Sequence, residues 1–169
     1  MHFRHLSYIC AMDFSQNKSY SVQEAKNKLM QYCAYQDRCH QEVEEKLKEM
    51  RMIPEACEQI IIYLIHENFL NEERFAQSFA RGKFRIKKWG RTRIIRELKQ
   101  RQISKYNINT ALKEIDDIEY AKTFLEVADK KLSSIKESNI LKRKRKLRDH
   151  LLSKGYESTL IYDYLSQLS

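Results

Sequence analysis

The sequence predicts an all-α protein made of three tandem three-helix, helix-turn-helix-like repeats stacked into an elongated, curved array. Three observations lead there. Glycine occurs three times and proline once in 169 residues, too few for the turns of a sandwich or barrel and suited to helices with short connections. Apolar residues recur at helical spacing rather than in strand-like alternation. One set of apolar positions then returns twice further along the chain. A charged fraction of 33% beside 42% apolar residues fits narrow amphipathic helices with wet outer faces.

The first helix opens at Ser21-Val22-Gln23-Glu24, a capping box in which serine and glutamate satisfy N–H groups of the first turn. Ala25, Leu29, Tyr32 and Cys33 continue it as one stripe. A second helix carries Cys39, Val43, Leu47 and Met50. A third starts at Pro54, which suits the first helical position, and buries Cys57, Ile60, Ile61 and Leu64.

Val43, Leu47 and Met52 are matched by Ile94, Leu98 and Ile103, and again by Leu147, Leu151 and Tyr156. The next helix keeps step: Cys57, Ile60, Ile61 and Leu64 correspond to Ile108, Ala111, Leu112 and Ile115, then to Ile161, Tyr164, Leu165 and Leu168. For the first helices, Ala25 with Leu29 pairs with Ala76 with Ala80 and with Ala121 with Leu125. Units this small must stack to bury their apolar faces. The expected division is 21–69, 70–115 and 116–169, with extra residues in the third copy around Ser133 to Asn139 and loose joints near residues 70 and 116. Asn71 and Asp116–Asp117 supply helix starts at those joints. Residues 1–20 are expected to form a poorly ordered extension, with Met12 an alternative start. The short apolar stretch Tyr8 to Met12 does not make a secretory core.

The formal net charge of +9 points to an anionic partner: nucleic acid, a nucleoprotein or a membrane surface. A membrane span is not expected, because the longest apolar run is Ile60 to Ile65, against roughly 20 residues for a bilayer core. The charge is uneven. From Arg81 to Lys105 stand 11 basic residues and one acid, Glu97, and six of the seven residues from Lys142 to Arg148 are basic. Asp37 to Glu73 holds ten acids and four basic residues. Both basic runs lead into the second helix of their repeat. The candidate partner-binding residues are therefore Arg81, Arg85, Lys87, Lys88, Arg91, Arg93, Arg96, Lys99 and Arg101 in the first run, and Lys142, Arg143, Lys144, Arg145, Lys146 and Arg148 in the second. Solvated helix faces are the alternative. A surface that repels itself is most simply explained by an anion that neutralises it. Phe84, Ile86 and Trp89 interleave the first run. They could stack on a base or anchor a protein contact, but Trp89 is expected to pack a helix junction. Gly90 is expected to permit a turn before the Arg91–Arg101 helix.

No P-loop, Rossmann glycine pattern or H-E-x-x-H occurs. The histidines at 2, 5, 40, 66 and 150 make no metal-ligand spacing with a cysteine or carboxylate. Cysteines 10, 33, 39 and 57 form no C-x-x-C and read as reduced thiols of a cytoplasmic protein. Neither a catalytic residue nor a cofactor or metal is expected.

At the first joint stands Asn68-Phe69-Leu70-Asn71-Glu72-Glu73-Arg74-Phe75-Ala76, running on to Phe79 and Arg81, then Gly90-Arg91, Ile94, Glu97-Leu98 and Ile103. This resembles the central segment of the RecX family, regulators of the RecA recombinase. There a G-x-L-D/N-D/E-x-R-F-A stretch precedes G-x-x-x-I-x-x-E-L-x-x-x-x-I. The likeness extends over Ser21 to Leu168, in the outer units mainly as pattern. Asn68 and Gln102 replace glycines of the family pattern, which bears on turns more than on surface contacts. The resemblance implies a non-enzymatic protein that binds along the groove of a RecA nucleoprotein filament, and a monomer is expected. It would modulate RecA recombinase, ATPase and co-protease activity, in the inhibitory direction, during DNA repair and recombination. Direct contact with single- or double-stranded DNA is also open; a membrane partner is not expected. Alternatives are a stand-alone DNA-binding module of helix-turn-helix type and a scaffold for an acidic protein.

Overall fold

The computed structural model describes residues 19–168. Most of the expected N-terminal extension, with Cys10 and the alternative start Met12, lies outside the described residues. Among the described residues there are nine helices and no strand: α1 (Val22–Tyr35), α2 (His40–Glu49), α3 (Pro54–His66), α4 (Glu72–Lys87), α5 (Arg91–Gln100), α6 (Lys105–Leu112), α7 (Asp117–Ser134), α8 (Ile140–Lys154) and α9 (Ser158–Ser166). The fold is an all-α repeat array.

Local chemistry sets the starts. Ser21 accepts from the Glu24 N–H at 3.2 Å while Glu24 accepts from the Ser21 N–H at 2.9 Å. Pro54 opens α3. Asn71 accepts from Arg74 N–H at 2.9 Å, and Asp116 from the N–H groups of Ile118 and Glu119. The repeat is visible in one recurring turn. After α2, α5 and α8 the chain passes through the left-handed region at Arg51 (φ 57°), Gln102 (φ 58°) and Gly155 (φ 88°). In each case the next N–H reaches back to the same place: Met52 to Leu47 O, Ile103 to Leu98 O and Tyr156 to Leu151 O, at 3.1–3.2 Å. These bonds satisfy carbonyls that a helix end leaves orphaned. Asn68 (φ 54°) takes the same conformation after α3, so both non-glycine departures from the family pattern fall where a side chain carries strain.

The buried positions follow the expected stripe of the second helices: Val43, Leu47, Ile94, Leu98, Leu147 and Leu151 are all 0% exposed. In the third helices Ile60, Leu64, Ile108, Ala111, Ile115, Ile161 and Leu165 are buried, whereas Cys57, Ile61, Leu112, Tyr164 and Leu168 of the expected stripe are half-buried. The first helix of the third unit departs from expectation. Ala121 and Leu125 are exposed, and the buried face is Tyr120, Thr123, Phe124 and Ala128. Apolar residues sit on two stripes one residue apart, and the partners choose the aromatic one: Tyr120 and Phe124 lie 5.6 and 5.1 Å from the Tyr156 ring. Of the extra residues expected around Ser133 to Asn139, Ser133 and Ser134 end α7 and 135–139 lie outside any helix. α8 starts seven residues before Leu147, whereas α5 starts three before Ile94, so α8 has one added turn, Ile140 to Arg143.

The two joints differ. Residues 75–165 form one continuous core, crossed by an aromatic chain from Phe84 through Tyr120 and Tyr156 to Phe124 and Tyr164. The joint near 116 is therefore packed, not loose. α1–α3 close over a separate core of Ala25, Leu29, Val43, Leu47, Ile60 and Leu64. Among the described residues, Cys39, fully buried, is the one residue N-terminal to α4 that enters the larger core.

Candidate partner-binding surface

A backbone crossing holds the last six helices together. Gly90 has φ −74°, an ordinary value, so its glycine is not demanded by the turn. The demand is proximity: a Cβ on Gly90 would lie 2.2 Å from Gly155 O, and one on Gly155 would lie 2.2 Å from the Arg93 Cβ. Through this gap Gly90 N–H donates to Lys154 O at 2.9 Å and Thr92 N–H to Gly155 O at 3.1 Å. The positive end of α5 thus meets the negative end of α8. Beside it, Arg91 N–H donates to the Tyr120 hydroxyl at 3.1 Å, which donates to Glu157 at 2.6 Å. Burial, reinforced by Glu157, pushes the Tyr120 phenol far above its ordinary value.

The first basic run is divided between struts and free cations. Arg81 pairs with Glu114 at 2.8 Å. Arg91 stacks on Tyr120, binds Ile115 O at 3.1 Å and pairs with Asp117. Arg93 lies 4.0 Å over Trp89 and donates to Ser153 O at 2.9 Å, while Arg101 holds Glu97 and covers Phe79. Arg85, Lys87, Lys88, Arg96 and Lys99 have no ion-pair partner among the described residues. In the second run, Lys146 bridges to Glu137 at 3.1 Å, Arg148 to Asp149 at 2.8 Å with Arg145 at 4.0 Å, and Arg143 reaches Leu132 O at 3.5 Å. Lys142 and Lys144 have no ion-pair partner among the described residues. Of the interleaved apolar residues, Phe84 is buried, Trp89 packs edge-on against Phe79 at 6.5 Å, and Ile86 stands 77% exposed. Runs of charge along the chain did not reveal Lys130, Lys131 and Lys154. Helix packing gathers these with Lys88 around one recess, and only tertiary structure could expose that grouping.

The motif at the first joint builds structure. Phe75 and Ala76 are buried. Arg74 pairs with Asp37 at 2.7 Å and donates to the carbonyls of Asn68 and Phe69 at 3.1 and 3.2 Å. Ser78 donates to the other Asp37 oxygen at 2.7 Å, and His40 meets Glu72 at 2.7 Å. Burial raises the Asp37 pKa, but hydrogen bonds from Arg74 and Ser78 outweigh it and hold the carboxyl below its ordinary value. A cleft of about 370 Å³ separates α4 from the α1–α2 side of this joint. Cys33, Cys39 and Cys57 are free thiols, and burial pushes Cys33 up to about 11. Among the described residues no group of three or more His, Cys, Asp or Glu side chains is placed to hold a metal ion. No helix there is long and apolar enough to cross a membrane.

Helices in a repeated three-helix order and a recurrent left-handed turn define a tandem-repeat α-protein. The family model for the second three-helix domain of RecX matches residues 71–112, and that for its third three-helix domain matches residues 117–165. The chain belongs to the RecX family. It is 27% identical over 147 residues to the regulatory protein RecX of Bacillus cytotoxicus, and equally so to that of Bacillus mycoides. Each match covers 87% of this chain and 54% of the relative, so the chain spans about half the length of these curated relatives. Two crystal structures share the fold. One, of a regulatory protein RecX, has a TM-score of 0.78 at 23% identity, covering 87% of this chain and 73% of that one. RecX from Lactobacillus salivarius has a TM-score of 0.74 at 24% identity, covering 86% and 94%.

Proposed function

We propose that this chain is a non-enzymatic cytoplasmic regulator that binds the RecA nucleoprotein filament as a monomer. It would modulate RecA recombinase, ATPase and co-protease activity in the inhibitory direction, with no cofactor. Family membership supports the class. The observation that carries the binding reading is the set of free cations Arg85, Lys87, Lys88, Arg96, Lys99, Lys142 and Lys144 on a body of six helices with one core. Such cations are available to phosphate or carboxylate, and the struts among the fifteen candidate residues keep some donors toward solvent. The division 21–69, 70–115 and 116–169 is part of this proposal, with the second and third units as the binding body.

The test is RecA's DNA-dependent ATPase with sub-stoichiometric folded protein. A change in rate is expected, and none would sink the proposal. Replacing Lys142, Arg143, Lys144 and Arg145 by Gln is expected to weaken filament binding with helicity retained. Unchanged binding would make that run a solvated face. A stand-alone DNA-binding module would instead bind duplex tightly without RecA, with log affinity falling steeply against log salt.

A further inference from the structure

α7 packs on α8 so as to leave a recess of about 340 Å³ on the face where the α4–α5 connection crosses. Its lining brings together Lys88, Lys130, Lys131, Lys154, His150 and Ser134. These come from three separate elements, and all but Lys88 lie outside the candidate residues read from the sequence. No carboxylate lines the recess. Of the nearby acids, Asp149 pairs with Arg148 at 2.8 Å and Asp129 accepts from the Tyr164 hydroxyl, while Glu126 stands on α7 one turn before Lys130, outside the lining. None of the four lysines has an ion-pair partner among the described residues. Lys154 donates to Lys87 O at 3.2 Å, which fixes its stem and leaves other N–H donors. Lys88 is held in place too, since its carbonyl accepts from the Tyr156 hydroxyl at 3.2 Å.

Gathering four lysines around one recess with no carboxylate in its lining costs stability, and an anion would relieve it. The donors available are lysine N–H groups, a serine hydroxyl and an imidazole. Their residues line a space too small for a helix or a folded surface. That combination suits a group with several acceptor oxygens and more than one negative charge, as a phosphate has and a single carboxylate lacks. His150 fits the same picture. Burial, with Lys131 and Lys154 beside it, holds its imidazole below the ordinary value, as expected of a ring facing cations in an empty anion site. The recess continues past Lys131, Ser134 and His150 into a more open groove edged by Lys136, by Lys146, which pairs with Glu137, and by Asp149, which pairs with Arg148.

We propose that the α7–α8 recess is a phosphate-binding site, taking linked phosphate groups either from a free oligophosphate or from the backbone of a nucleic-acid strand. This goes beyond the filament reading and does not depend on it.

The experiment uses the full chain without RecA and follows the His150 ring resonances by NMR across pH, with sodium tripolyphosphate or oligothymidylate added. An anion against the ring favours its protonated form, so the titration midpoint is expected to rise by about one unit or more. Lys130→Gln with Lys131→Gln is expected to weaken the same ligand by about tenfold or more, whereas Lys113→Gln, away from the recess, leaves it unchanged. A rise with tripolyphosphate alone assigns a free oligophosphate. A rise with oligothymidylate that tripolyphosphate competes away assigns a strand. A midpoint unmoved by either probe overturns the site. So does full affinity in a double variant that keeps its helicity.

Discussion

Gly90→Ala puts the backbone crossing to a direct test. The added methyl would sit 2.2 Å from Gly155 O, 2.4 Å from Gly155 C and 2.5 Å from Tyr156 N, all backbone atoms that cannot swing aside. The α5 start and α8 end must therefore separate. That stretches Gly90 N–H to Lys154 O and Thr92 N–H to Gly155 O. Overpacking of this kind costs about 1–3 kcal/mol, and two weakened hydrogen bonds add about 0.5–1.5 kcal/mol each. A loss near 3 kcal/mol is the expected result, a large share of the roughly 5–15 kcal/mol that holds a domain folded. Urea unfolding measures it, read by helical circular dichroism and by emission of Trp89, the sole tryptophan and Gly90's neighbour. Gly82→Ala is the matched control. Gly82 lies inside α4 with nothing within 4 Å of a built Cβ, so alanine there is expected to stabilise by about 0.5–1 kcal/mol. A Gly90→Ala loss below about 1 kcal/mol, or an equal loss at Gly82, would refute the proximity account.

Three further outcomes follow from the turns and the first joint. Gln102→Gly is expected to raise stability by about 1 kcal/mol in the same urea assay, because it removes a side chain from φ 58°. A decrease would mean that the left-handed turn carries no strain. Asp37 has a depressed folded pKa, so its contribution is complete above the unfolded carboxyl value of about 3.9 and is lost as pH falls through the folded value. Asp37→Asn is expected to cost about 1 kcal/mol at pH 7 and to lose that part of the acid dependence. A stability profile between pH 2 and 7 with the parent's slope would contradict it. Amides of α1–α3 are expected to exchange through a sub-global opening while α4–α9 stay protected, given their separate cores. Uniform protection across both by hydrogen exchange would rule the distinction out.

Much of the fold was legible because its signals are local. Ser21, Pro54, Asn71 and Asp116 announce helix starts within a turn of themselves, and the Val43, Ile94 and Leu147 stripes recur at helical period. What could not be read depends on partners far along the chain. Ala121 with Leu125 and Tyr120 with Phe124 are both plausible stripes until Tyr156 settles which is buried. Gly90 looked like a turn residue, and its real neighbour, Gly155, is 65 positions away. For the candidate surface, the location of the basic runs was plain from composition. Which cations are free was not, since Glu114, Asp117 and the Ser153 carbonyl arrive from other parts of the chain.

That division of labour among the cations bears on what their charge means. The arginines of the first run mostly end on carbonyls, carboxylates or aromatic faces, where a planar fork with several donors is better suited than an ammonium. Arg91 and Arg93 thereby tie the second unit to the third, at Asp117 and the Ser153 carbonyl, while Arg81 and Arg101 brace the second unit internally, and their charge is partly answered within the fold. Self-repulsion as a sign of an anionic partner therefore rests on a smaller set, largely lysines and Arg85 and Arg96. Surface ion pairs contribute only about 0–1 kcal/mol each, so the struts remain able to exchange a weak internal partner for a phosphate. Lys142 and Lys144 are free of such a role. Arg143 also contacts Leu132 O, and a loss of binding on its replacement counts as recognition only where α7 and α8 stay together. The clean measure of recognition in the second run is thus the Lys142 and Lys144 pair, with the arginines read against helicity.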